Sequence, residues 1–180
     1  MAVRNDVTGV GLLGLGTIGR SHAQALAQLR GQAALVAYSG GDAQTAADAG
    51  WPDALQLSPA ELLRHDAVDV IAICSPSGAH AEHALSALAA GKHVVVEKPL
   101  AMTAAAADRI VALAAEEQLA VSVIAQRRLE PEVQAVRAAL DSGQLGAVRL
   151  ATTLVHWWRD EGYYAARPGA APPRAGEDPW

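Results

Sequence analysis

From about residue 7 to 125 the chain alternates short aliphatic, β-branched runs with longer Ala/Leu stretches whose apolar positions recur at helical spacing. That alternation joins parallel strands through crossover helices. The expected strands are residues 8–13, 33–38, 54–57, 68–74, 93–96 and 119–124. Val70-Ile71-Ala72-Ile73 and Val94-Val95-Val96 are apolar without interruption, as strands covered on both faces are. The pattern predicts an α/β fold with a doubly wound parallel sheet over residues 1–125.

Helix boundaries are marked by local chemistry. Ser58-Pro59-Ala60-Glu61 offers an N-cap hydroxyl, a proline at the first helical position and a glutamate that reaches back to the cap amide. Gly91 suits a left-handed cap just before the strand at His93. Thr103 caps a helix expected to run to about residue 118, with Ile110, Leu113 and Ala114 facing inward. Beyond Gln126 the pattern changes. Glu130-Pro131-Glu132 opens a helix to about residue 141, Gly143 and Gly146 break it, and residues 147–157 read as one strand. Residues 126–164 are therefore expected to begin an incomplete α+β second domain. The tail, 165–180, is Pro, Gly, Ala and Arg without periodicity, and disorder is expected there.

Composition narrows the function classes. The 180 residues carry 14 Lys and Arg against 19 Asp and Glu, a net charge of −5 with no dense basic block, which argues against nucleic-acid binding. Apolar runs stop well short of the roughly 18 residues a membrane span needs, and the first six residues are not the basic start of a signal sequence. A soluble, cytoplasmic protein is expected. The single cysteine, Cys74, can form no internal disulfide and has no companions for a cysteine-rich metal site. Phe is absent and Ala abundant, so the 51% hydrophobic content overstates the large apolar surface available for burial.

Two segments carry chemistry. Gly14-Leu15-Gly16-Thr17-Ile18-Gly19 follows an expected strand and opens an expected helix. Its glycines permit a tight turn, a close pyrophosphate and close helix packing, while the helix amides hold the phosphates. The acid that would bind the ribose 2′-hydroxyl belongs at the end of the second strand, yet Tyr38-Ser39-Gly40-Gly41-Asp42 has none near Gly40, and Asp42 comes late. No Arg stands there to welcome a 2′-phosphate, so NAD and NADP both remain candidate cofactors. The second segment is Gly91-Lys92-His93-Val94-Val95-Val96-Glu97-Lys98-Pro99. It puts an acid and an amine at the carboxyl end of a buried strand, where open α/β sheets bind ligands. Burial and a cationic nicotinamide both disfavour a lysine's charged form, which suits it to proton exchange with a hydroxyl or carbonyl. A surface ion pair between Glu97 and Lys98 is the alternative reading.

These motifs, with Ile73-Cys74-Ser75-Pro76-Ser77-Gly78-Ala79-His80 between them, resemble the Gfo/Idh/MocA family of NAD(P)-dependent oxidoreductases. The resemblance spans about residues 7–164 and is most specific at Glu97-Lys98-Pro99. It implies that Lys98 is the catalytic lysine, that Glu97 positions cofactor and lysine, and that Pro99 shapes the turn beneath the nicotinamide. Ser75, Pro76 and His80 would border the cofactor, and Arg128 would face the substrate. It further implies hydride exchange with a sugar, cyclitol or related polyol, self-association, and a second domain built on an open antiparallel sheet. Because the tail does not continue that pattern, the chain resembles a truncated member. A nucleotide-binding module without turnover is the alternative.

Other candidates read more plainly. His80 and His83 are spaced to share a helix face but lack a third metal ligand. His22 falls on an apolar stripe with Ile18, Ala25 and Leu29 and reads as a packing residue. Cys74, ending a hydrophobic strand, reads as a packed thiol. Trp157, Trp158, Tyr163 and Tyr164 read as core or contact aromatics.

Overall fold

The computed structural model describes residues 7–162. Six parallel strands, β1 (Thr8–Leu13), β2 (Ala33–Ser39), β3 (Leu55–Gln56), β4 (Val70–Ile73), β5 (His93–Val96) and β6 (Val121–Val123), form one sheet in the order β3-β2-β1-β4-β5-β6. Helices α1 (Thr17–Ala27), α2 (Ala43–Asp48), α3 (Pro59–Arg64), α4 (His80–Ala89) and α5 (Ala104–Glu116) make the crossovers. This is the doubly wound parallel sheet expected from the alternation. The strand order reverses between β1 and β4, which opens a crevice at their carboxyl ends.

Side-chain alternation divides the core. Val10, Leu12 and Ala72 join Leu15, Ala23, Leu35, Tyr38 and Ala46 on one face. Leu13, Ile71 and Ile73 join Val94, Val96, Leu62, Ala84, Leu88 and Ile110 on the other. The period of two along a strand puts neighbouring residues into different clusters, and each helix closes one of them. Eight of the 22 buried hydrophobics among the described residues are alanines, so helices and sheet meet largely through methyl groups.

The helix ends follow the expected chemistry. Gly91 has a φ of +72°, and the next amide, Lys92 N–H, donates to the Ala87 carbonyl, closing α4. Thr103 Oγ1 accepts from Ala106 N–H and starts α5. At α3, Ser58 Oγ accepts from Glu61 N–H, and Ser58 N–H donates to Glu61 Oε2 at 2.9 Å. The Ser58 hydroxyl and amide hold the Glu61 carboxyl below its ordinary range. Ser58→Ala is expected to remove about 1 kcal/mol of stability. A lower urea midpoint at unchanged m-value would check it.

The chain divides into two compact units, 1–130 and 131–180. Within the second, α6 (Pro131–Asp141) forms where Pro131 predicts it. The strand expected at 147–157 does not form: that stretch is exposed and has no ladder partner among the described residues. A strand exists only by pairing, so β-propensity alone leaves it extended without becoming sheet. The expected tail at 165–180, and Tyr163 and Tyr164, lie outside the described residues.

Candidate dinucleotide site

The turn between β1 and α1 is built around its glycines. Gly14 has a φ of +97°, and a Cβ there would lie 2.8 Å from the backbone of Cys74 and Ser75. A Cβ on Gly19 would lie 2.1 Å from the Gly14 carbonyl oxygen. At Gly16 a Cβ would meet nothing within 4 Å. The first and third glycines thus serve packing, and the second faces open space where a pyrophosphate can approach. Gly16 is also the N-cap of α1 and offers no side-chain acceptor, so the first-turn amides around Thr17 and Ile18 suit an anion. The residues present fit a dinucleotide.

Beside this loop, Gly40 and Gly41 have φ values of +75° and +87°. A Cβ on Gly41 would sit 2.4 Å from the Leu15 carbonyl oxygen, so the end of β2 is pressed against the glycine loop. Asp42 is the N-cap of α2, its Oδ1 accepting from Thr45 N–H at 2.7 Å. That backbone hydrogen bond, first among the causes, holds its carboxyl below the usual range. Its late position in the sequence thus has a local explanation, since it caps a helix.

At the end of β5, the Lys98–Pro99 peptide is cis. Glu97 Oε1 lies 3.0 Å from His22 Nε2, and Glu97 Oε2 accepts from Lys98 N–H at 3.3 Å. Lys98 is exposed rather than buried as its strand-end position suggests. The reading of His22 as a packing residue also needs correction. It lines a groove of about 310 Å³ together with Ile18, Glu97, Ile124 and Gln126. A larger hollow of about 390 Å³, lined by Arg30, Trp51 and Asp53, contains none of the candidate site residues. The smaller groove borders the glycine loop and Glu97, and it is the one with chemistry.

The loop after β4 completes the site. His80 is buried, its Nδ1 2.7 Å from the Pro99 carbonyl and its Nε2 2.8 Å from the Ser75 carbonyl. His83 Nδ1 lies 2.9 Å from Ser75 Oγ. Pro76 precedes the short 3-10 turn Ser77–Ala79. Both histidines engage Ser75, and among the described residues no cluster of three or more His, Cys, Asp or Glu is placed to hold a metal ion. Burial, then the Glu97 charge, pushes the Cys74 thiol up to about 12, so it stays protonated and is a poor nucleophile. Arg128 lies exposed on the 3-10 turn Gln126–Leu129, where Gln126 is the residue that lines the groove. Among the described residues no helix is long and apolar enough to cross a membrane.

A glycine turn between β1 and α1, open helix amides and a strand-end Glu-Lys-Pro define a dinucleotide-binding Rossmann domain. Residues 8–125 match the family described as "Oxidoreductase family, NAD-binding Rossmann fold", GFO_IDH_MocA, and the chain belongs to that family. It is 33% identical over 168 residues to the oxidoreductase YdgJ of Escherichia coli (strain K12), covering 88% of this chain and 48% of that one. It is 35% identical to inositol 2-dehydrogenase 1 of Saccharopolyspora erythraea, covering 76% of this chain and 42% of that one. Among solved structures it resembles the WlbA dehydrogenase of Bordetella pertussis in complex with NADH and UDP-GlcNAcA. There the TM-score is 0.80 at 31% identity, covering 88% of this chain and 49% of that one. The chain spans about half the length of these relatives.

Proposed function

We propose that this chain binds NAD or NADP and serves hydride exchange with a sugar, cyclitol or related polyol or ketone. The observation that carries this reading is the groove that Ile18 of the open glycine turn and Glu97, next to Lys98 at the strand end, line together. The bound nicotinamide supplies the hydride chemistry. Gly14, Gly16 and Gly19 shape the phosphate cradle, with the amides of Thr17 and Ile18 as donors. Lys98 Nζ exchanges a proton with the substrate oxygen, its exposed side chain being free to reach. Glu97, anchored by His22, fixes the backbone from which Lys98 extends. Ser75, Pro76 and Arg128 border cofactor and substrate in the same reading. Relatives that include an inositol 2-dehydrogenase and a dehydrogenase in complex with NADH and UDP-GlcNAcA support a polyhydroxylated substrate.

A second reading, a dinucleotide-binding module without turnover, needs only the open glycine turn and the helix amides. Titration with NADH and NADPH, paired with activity assays on a panel of inositols and sugars, separates the two. Binding with turnover supports the enzyme, and binding alone supports the module. No binding of either dinucleotide at millimolar concentration overturns both.

The Gly40 corner bears on cofactor choice. With no acid to repel a 2′-phosphate and no Arg beside it, the two dinucleotides are expected to bind within about tenfold of each other. A Cβ at Gly40 meets only Gly14 Cα, at 3.7 Å, and aspartate tolerates a left-handed φ better than most residues. Gly40→Asp is expected to weaken NADPH binding relative to NADH by about tenfold or more, read by fluorescence titration.

A further inference from the structure

Lys98 has little holding it directly. Its backbone N–H donates to Glu97 Oε2, and its side chain is exposed. Its neighbours are held instead. Glu97 pairs with His22 of α1, and the Pro99 carbonyl lies 2.7 Å from His80 Nδ1 at the start of α4. The other nitrogen of His80 lies 2.8 Å from the Ser75 carbonyl, and the residue is only 1% exposed. Both partners are backbone carbonyls, which only accept. Whichever ring nitrogen carries hydrogen, it therefore has a carbonyl oxygen of one of the two loops to donate to.

The two carbonyls belong to different loops. Ser75 follows β4, and its amide nitrogen would lie 2.8 Å from a Cβ on Gly14, so this loop backs directly onto the glycine turn. Pro99 follows Lys98 at the end of β5. His83, one turn along α4, contacts the Ser75 hydroxyl and holds the same loop from its other side.

We infer that His80 is a positioning residue, a buried ring lodged between the Ser75 loop and the Lys98–Pro99 turn that sets the lysine relative to the cofactor cradle. The inference rests on the proposed function for its consequence but not for its geometry. Losing the tie leaves two buried carbonyls without their partner and frees the Lys98–Pro99 turn to shift. Displacement of a reacting group by about 1 Å is enough to cost on the order of a hundredfold in rate.

Two measurements on the 180-residue chain test it. In nitrogen-15 NMR, His80 should show an exchange-protected ring N–H signal that vanishes in His80→Gln. A His80 ring N–H that exchanges freely with water would overturn the tie, whether or not any dinucleotide binds. The second measurement compares acetylation of Lys98 with and without saturating NADH. NADH should shield the wild-type amine, with most of the shielding lost in His80→Phe and partly restored in His80→Gln, which retains one donor. NADH affinity is titrated for each variant, so that shielding is compared at full occupancy. Full shielding in folded His80→Phe overturns the positioning role. If that variant fails to fold, His80→Gln with shielding equal to wild type does so. Failure of the wild-type chain to bind NADH would count against the proposed function and leave the NMR result to decide the tie.

Discussion

Lys98→Ala is expected to lower turnover of the protein that carries this domain by about 10²- to 10⁴-fold, the range for loss of a general acid or base. Dinucleotide affinity should change little. Lys98 is exposed, so the variant should also melt where the wild type does. Its only described hydrogen bond uses the backbone amide, which alanine retains. Steady-state kinetics with a cofactor titration check the split between rate and binding. Equal turnover in the variant would remove Lys98 from the mechanism.

Gly19→Ala is expected to have the largest effect on binding. The added methyl would stand 2.1 Å from the Gly14 carbonyl oxygen and 3.0 Å from a Leu12 methyl. The first of these neighbours is backbone and cannot rotate away, so α1 must move off the strand. Overpacking of this kind costs about 1 to 3 kcal/mol. The same movement carries the first-turn amides away from the phosphate cradle, and dinucleotide affinity should fall about a hundredfold or more. Gly16→Ala is the control. Its methyl meets no protein atom within 4 Å, so it should fold as the wild type does while still obstructing the pyrophosphate. Thermal melts alongside titrations distinguish these cases. If Gly19→Ala bound the dinucleotide normally, the proposed cradle would be wrong.

Much of the fold is legible in the chain because each signal is local. Uninterrupted runs such as Val94-Val95-Val96 can be satisfied only by a strand covered on both faces, and the caps at Ser58, Gly91 and Thr103 act within a few residues. The glycine turn is legible for the same reason. The pairing of His22 with Glu97 is not, because 75 residues separate them and only the topology brings α1 beside the end of β5. Its one available signal is position: a histidine one turn into the helix after a glycine turn faces the same crevice. The two carbonyls that share His80 also come from separate loops, and no spacing rule connects them. The misplaced strand at 147–157 has the opposite cause. Its Val, Leu and Thr content is local, but sheet formation requires a neighbour.

The alanines lining the helix-to-sheet contacts set how this protein responds to sequence change. Where Ala84, Ala87 and Ala114 meet the strands, truncation has almost nothing left to remove, whereas any enlargement pushes against backbone or β-branched neighbours. Tolerance is therefore one-sided. Drift toward bulkier residues would first be felt as a change in the spacing between layers, and the loops at the sheet's carboxyl edge would inherit that change as lost alignment before the domain lost its shape.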